Sequence, residues 1–272
     1  MNILLHRPGP PLGDFISCIW LSEERRESPS RERVLPTGVL SLVFNLGEDR
    51  FDVYGPDERD PLAPLPGALV SGARSVPFAM ALPAHGRALG VRFKPGRAVP
   101  FLGVSAGDLE GKLVPLDALW GGFAARLREQ LQEATEAHAR IRLIEAFLLT
   151  RAKDARPAHP RLTLALEAFE DLQLRSVTEV NARTGLSPKR LLALFREEVG
   201  MGPKAFWRLR RFRTALRSLK PGAPIRGAEL ALELGYCDQA HFNRDFRHFT
   251  GVSPGEFLAR GLARPNHLLL AG

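Results

Sequence analysis

"GYCDQAHFNRDFRHFTGVSPGEF", residues 235–257, is the most patterned stretch of the sequence. Phe242, Phe246 and Phe249 recur at three- and four-residue spacing, which lines one face of an α-helix with rings that must pack inward. Gln239, His241 and Arg244 fall elsewhere around that helix. Asp238 can cap its first turn directly after Gly235-Tyr236-Cys237. Gly251 stops it, and Ser253-Pro254-Gly255-Glu256 combines a capping box with a proline suited to the start of the next helix. A glutamine can pair bidentately with adenine and an arginine with guanine, so the polar face suits a surface that reads base edges.

The same unit occurs a second time, upstream. A helix from Val177, opened by the capping box Ser176-Val177-Thr178-Glu179, leads into the turn Thr184-Gly185-Leu186-Ser187. Ser187-Pro188 starts another helix that reaches Glu198, and Gly200 and Pro203 close the unit. The downstream copy runs from about Arg226 through Leu234-Gly235-Tyr236-Cys237-Asp238 to Phe249, Gly251 and Pro254. Helix, glycine turn, helix is the pattern whose second helix enters the DNA major groove. Between the copies, Pro203 to Leu219 predicts a long helix with Phe206, Leu209, Phe212 and Leu216 inward. Arg208, Arg210, Arg211, Arg213 and Arg217 are expected largely outside.

Charge separates the halves. Residues 1–156 carry 20 basic and 19 acidic side chains, whereas 157–272 carry 18 and 11. A basic half beside a neutral one fits a chain of which one part meets a polyanion. With 44% hydrophobic and 25% charged residues the composition is that of a globular protein. No uninterrupted apolar run reaches the roughly 18 residues of a membrane span, and the apolar start before Pro8 is too short for a signal peptide. Two distant cysteines argue against a disulfide framework and for a reducing cytoplasm. Cys18 and Cys237 are expected as small buried side chains.

The first half reads differently. Residues 39–44, 68–71 and 88–93 are short β-type runs separated by Leu46-Gly47-Glu48-Asp49 and Lys94-Pro95-Gly96, which predicts a small antiparallel sheet or barrel over 1–116. From 117 to 152 the period turns helical, with Phe123, Leu127, Leu131, Ile141, Ile144 and Leu148 on one stripe and a break at Thr135-Glu136. That stripe can pack on the β-rich domain or join two copies of the chain as a homodimer. Residues 153–161, with two prolines and no apolar stripe, read as a linker. The fold class is thus α+β with two domains: a β-rich sheet or barrel with a helical appendage, then an all-α tandem helix-turn-helix.

Residues 162–260, about a third of the chain, resemble the DNA-binding domain of AraC/XylS-type transcriptional regulators, carried by "LGYCDQAHFNRDFR" and "TGVSPGEF". The resemblance bounds that domain at 162–262 and leaves 263–272 as a tail. More weakly, Val34-Leu35-Pro36-Thr37-Gly38 and Gly90-Val91-Arg92-Phe93-Lys94-Pro95-Gly96 resemble a β-rich regulatory domain of some members. The family implies two recognition helices in successive major grooves. It places Gln239, His241, Arg244 and, in the first unit, Lys189 at base-reading positions. Ser187, Arg190, Arg196, Asn243 and Arg247 fall at phosphate or positioning sites. The first unit departs from the pattern, because Leu192 and Ala193 occupy base-facing positions and carry little of the groove's code. Asn181 stands where the second unit has the small Ala231, and needs a partner in that crowded crossing. Double-stranded DNA is the implied partner, with a small-molecule effector and RNA polymerase as further candidates, and no cofactor.

No catalytic motif survives inspection. Gly90 to Gly96 lacks the Gly-Lys-Ser/Thr of a P-loop, and Asp14, Asp49, Asp52 and Asp57 are scattered and turn-like. His241 and His248 lack a third ligand for a metal. Trp20, Phe44 and Phe93 read as core. Arg92 alternates with Val91 and Phe93, so it can point into a barrel and hold an anionic ligand, or pair with a structural carboxylate. Three function classes follow. The chain is a ligand- or partner-responsive transcription factor, a DNA-repair methyltransferase with a similar DNA-binding domain, or an architectural protein whose first half only dimerises. The methyltransferase needs an activated cysteine among polar helpers, and Cys18 lies among Phe15, Ile16, Ile19 and Trp20. The non-enzymatic transcription factor is the favoured reading.

Overall fold

The structure, a computed structural model, describes residues 2–55, 58, 60–152, 158–171, 174, 176–219, 227–261 and 266–270. Asp57, linker residues 153–157 and the helix start at Arg226 lie outside the described residues.

The chain opens with β1 (Asn2–His6), β2 (Ile16–Arg25), β3 (Ser30–Val34) and β4 (Ser41–Asn45). Short strands β5 (Arg50–Phe51), β6 (Val53–Tyr54) and β7 (Leu65–Pro66) precede β8 (Ala68–Ser71), β9 (Phe78–Leu82) and β10 (His85–Phe93). After α1 (Val99–Leu102), β11 (Leu113–Pro115) joins the main sheet, which has the order β1-β2-β10-β4-β8-β11 and is antiparallel throughout. Its edges are β1 and β11, so the sheet is open and the barrel alternative does not form. Register puts Ile19, Leu21, Leu42, Phe44, Val70, Leu89 and Val91 on one face, and all of them are fully buried.

Helices α2 (Asp117–Trp120), α3 (Phe123–Glu133) and α4 (Ala137–Ala152) join this core, with the expected break between α3 and α4. Leu127, Leu131, Ile141, Ile144 and Leu148 are buried, so the apolar stripe is occupied inside the chain and is not a free dimer seam. Polar contacts fix the docking: His6 meets Glu145 at 2.8 Å and Arg140 meets Glu23 at 3.0 Å. Phe123 does not follow its stripe. It is the first residue of α3, 57% exposed, and its ring lies under the Arg126 guanidinium at 4.6 Å.

The second half continues with α5 (Pro160–Ala168), α6 (Val177–Thr184), α7 (Pro188–Val199), α8 (Pro203–Ser218), α9 (Gly227–Glu233), α10 (Gln239–Thr250) and α11 (Pro254–Arg260). Caps form where the residues ask for them. Ser176, Ser187 and Asp238 accept from the backbone N–H of Glu179, Arg190 and His241, and Ser253 with Glu256 makes a reciprocal capping box. Gly200 and Gly251 end α7 and α10 at φ of 81° and 76°, a left-handed conformation that favours glycine.

Residues expected as a tail form β12 (His267–Leu269) instead, which pairs with β3 and completes a second sheet of order β12-β3-β9-β6. Leu268 is fully buried there, which local sequence alone could not announce. The halves also touch elsewhere: Ser105 Oγ donates to the carbonyl of Glu197, and Leu209 of α8 fills the space beside Gly38. Cys18 is half-buried, and Cys237 is exposed in the turn ahead of the α10 cap, contrary to the expectation of buried thiols. Trp20 is half-buried, while Phe44 and Phe93 are core. Among the described residues no helix is long and apolar enough to cross a membrane.

Candidate nucleic-acid interface

Each helix-turn-helix unit is built on a phenylalanine cluster to which α8 contributes one ring. In the first, Phe169, Phe195 and Phe206 meet pairwise edge-on with centroids 5.5–5.7 Å apart. In the second, Phe212 stacks on Phe249 at 4.8 Å and meets Phe246 edge-on at 5.4 Å. Helix α8 therefore belongs to both cores and fixes one unit to the other. Rings in these offset geometries add about 0.5–1.5 kcal/mol per pair beyond the area they bury.

The opposite side of α10 is open. Gln239, Asn243, Arg244 and Arg247 are all exposed, while Phe242, Phe246 and Phe249 are at most 1% exposed. His241 differs from its companions: it is half-buried, with its ring edge-on to Tyr236 at 5.1 Å. On α7, Leu191, Leu194, Phe195 and Val199 face inward, and Lys189, Arg190, Leu192, Ala193 and Arg196 are exposed, with Ser187 exposed at the cap. Asn181 finds its partner, donating from Nδ2 to the Leu186 carbonyl at 2.9 Å. Ala231, its counterpart, is fully buried.

A buried charge network under α10 was absent from the sequence reading. Asp245 is 3% exposed and accepts from Arg208 Nε and Nη2 at 3.1 and 2.7 Å, with Arg211 Nη2 3.8 Å away. Arg211, expected outside, is 7% exposed, lies 4.3 Å from the Trp207 ring centroid and 4.4 Å from that of Tyr236, and donates to the Gly235 carbonyl. Burial pushes the Arg211 pKa down, against the charges of Tyr236 and Asp245 that raise it. Burial also pushes the Tyr236 hydroxyl well above its usual range, with Asp245 acting the same way. The available signal was position: Asp245 falls three residues after Phe242 and four before Phe249, on the inward stripe.

Arg92 faces away from the buried core of the main sheet, as its alternation with Val91 and Phe93 requires. Among the described residues no carboxylate forms an ion pair with it, and its Nε is buried without a hydrogen-bond partner. Asp49 pairs with Arg128 and Asp52 with Arg50, both at the surface.

Comparison with known proteins follows the same division of the chain. Residues 180–260 match a family model described as a helix-turn-helix domain, and residues 5–115 match one described as Domain of unknown function (DUF6597). The chain is 29% identical over 156 residues to the HTH-type transcriptional regulator GlxA of Rhizobium meliloti (strain 1021), covering 55% of this chain and 48% of the relative. It is 31% identical over 127 residues to the arabinose operon regulatory protein of Escherichia coli (strain K12), covering 44% of this chain and 43% of the relative. The chain thus spans about half the length of the curated relatives it matches. Among solved structures, ToxT from Vibrio cholerae aligns over 89% of this chain and 97% of its own at a TM-score of 0.46 and 11% identity. A probable AraC family transcriptional regulator from Rhodopseudomonas palustris CGA009 aligns over 38% and 94% at 0.32 and 28% identity. Neither family match favours a methyltransferase. Residues 180–260 are thus similar to a helix-turn-helix domain family, and about half of the chain is similar in sequence to two regulatory proteins, one of them named as an HTH-type transcriptional regulator.

Proposed function

We propose that the chain binds double-stranded DNA sequence-specifically and regulates transcription, with base readout concentrated in α10 and an N-terminal domain that senses a small molecule. The observation that carries this reading is the exposed row Gln239, Asn243, Arg244 and Arg247 opposite a fully buried phenylalanine stripe. Gln239 and Arg244 are the readers, able to make bidentate contacts to adenine and guanine. His241, held against Tyr236, reads from a fixed ring position. Asn243 and Arg247 serve the backbone beside them. In the first unit Lys189 is the one base-reading donor, while Ser187, Arg190 and Arg196 contact phosphates and position the protein. The excess positive charge of residues 157–272 supports the polyanion partner. Contact with RNA polymerase is a further part of this reading.

Selection of bound sequences from random DNA by the whole chain, at a fixed and stated salt concentration, tests it. A selected motif whose information lies mainly in one half is the expected result. Recovery of random sequence at every salt concentration tested would remove the reading. A promoter reporter carrying the selected motif then tests regulation.

A further inference from the structure

The helices α5 to α11 are joined to the N-terminal domain at both of their ends. Before α5 the connection is the chain itself. Beyond α11 it is β12, which adds a strand to the edge of β3 and sets His267, Leu268 and Leu269 opposite Val34, Arg33 and Glu32. Two backbone hydrogen bonds extend the pairing, from Leu35 N–H to the Asn266 carbonyl at 2.8 Å and from Leu270 N–H to the Arg31 carbonyl at 3.0 Å.

Each residue of this segment grips differently. Leu268 is the apolar anchor, 0% exposed within the common core, whereas Leu269 beside it is half exposed. His267 Nδ1 lies 3.1 Å from Oε2 of Glu32, a carboxylate buried in β3. Asn266 has φ of 64°, in the left-handed region that asparagine tolerates better than most residues, and so turns the chain into the strand. Its Oδ1 accepts from Arg213 of α8. The segment therefore meets the N-terminal sheet along its backbone and the bridging helix through a side chain.

Strand β3 also holds α10. Arg33, opposite Leu268, donates to the carbonyl of Thr250 at the end of that helix, and its guanidinium fills the space a side chain at Gly251 would take. Leu209, one turn ahead of Arg213 in α8, packs in the same manner at Gly38, four residues beyond β3. Contacts of α8 and of α10 with the N-terminal domain thus gather around β3 and its added strand.

A three-residue strand with one fully buried side chain is an element that can open without unfolding the rest. While it is shut, the groups at Gly38 and Thr250 stay near their partners, and their contacts form at the high effective concentration of an intramolecular step. Opening it removes that constraint from all of them together.

We propose that residues 266–270 are a strap: pairing of β12 with β3 locks α8 and α10 onto the N-terminal sheet, and its opening releases them. The closed form is the one that binds DNA, because the reading faces of α7 and α10 stay exposed in it while the far end of α10 is held. That second statement rests on the DNA-binding reading; the strap itself does not.

Hydrogen exchange of the whole chain without DNA, read by mass spectrometry, tests the strap. Leu268→Gln removes the anchor. Exchange should accelerate tenfold or more at residues 31–35 and also at 209–213 and 247–251, while β2 and β10 keep their protection. Asn266→Gly keeps the left-handed turn and removes only the acceptor of Arg213, so it should speed exchange in α8 and α10 by a smaller factor. Should Leu268→Gln fail to fold, Leu268→Ala carries the same expectation. Acceleration confined to residues 31–35 and 266–270 overturns the proposal, since β12 is then an edge strand that holds nothing. Equal acceleration in β2 and β10 overturns it as well, because the strap does not then open by itself. On the selected DNA site Leu268→Gln should lose threefold or more in affinity, chiefly through the half under α10. Undiminished or tighter binding with the strap open overturns the assignment of the closed form. Failure of the unmodified chain to select any DNA removes the DNA reading alone, and the exchange measurement still decides the strap.

Discussion

Arg33 of β3 donates a 2.6 Å hydrogen bond from Nη1 to the carbonyl of Thr250, the last residue of α10. The helix with the exposed reading face is therefore tied at its C-terminal end to the N-terminal sheet, at the residue just before its glycine stop and more than two hundred residues from its partner. The same guanidinium pairs with Glu58, which holds it in place. Arg33→Ala should lower unfolding free energy by about 1–3 kcal/mol, because a shielded carbonyl and a carboxylate both lose their donor. Urea denaturation of the whole chain measures it, and a change within about 0.5 kcal/mol, as expected for an ordinary surface substitution, would show the tie to be idle.

Adjacent residues in α10 should behave oppositely. Arg244→Ala should cost about 1–3 kcal/mol of binding and relax preference at one base pair, with stability unchanged. Asp245→Ala should cost about 3 kcal/mol of stability, the low end for a broken buried pair because Arg208 is a third exposed. Its base preferences should survive wherever the protein is folded. Titrations on the selected site and on single-base variants, beside denaturation curves, separate the two. Equal loss of affinity for all sequences with Arg244→Ala would make it a phosphate contact.

The two recognition helices should not contribute equally. Leu192 and Ala193 on the exposed face of α7 offer methyl contacts but no donors, whereas α10 offers Gln239 and Arg244. Randomising the half-site under α7 should cost less affinity than randomising the half under α10. Equal losses per base pair in competition titrations would contradict this.

Acid should loosen the end of the DNA-binding domain through Glu256. Hydrogen bonds from the Ser253 side chain and backbone hold its carboxyl below the usual carboxylate range. A carboxylate depressed on folding contributes stability above its unfolded pKa, about 4.3, and that contribution disappears as pH falls through the lower folded value. Ser253→Ala should therefore lower Tm at neutral pH and flatten the acid side of the Tm–pH curve. Parallel curves for the two proteins from pH 7 to pH 3 would show that the capping box contributes nothing to acid stability.

The C-terminal architecture was legible because its determinants are local. Caps at Ser187, Asp238 and Ser253, glycine stops at 200 and 251, and phenylalanines at three- and four-residue spacing each act within a turn or two of helix. The exposed faces of α7 and α10 follow from the same periodicity, so most candidate site residues could be placed from sequence. What contacts across the fold decided was the fate of polar side chains. Arg211 reads as one more surface arginine of α8, yet the aromatic rings of Trp207 and Tyr236 and the buried Asp245 draw it inside. Residues 267–269 carry no strand signal of their own, and become β12 because β3 offers them an unpaired edge. Alternation alone sent Arg92 away from the core, but only strand register set Ser41 beside it and Ser71 one strand further on. Periodicity is a property of the chain within one element, whereas register and docking are chosen by the free energy of burying all elements together.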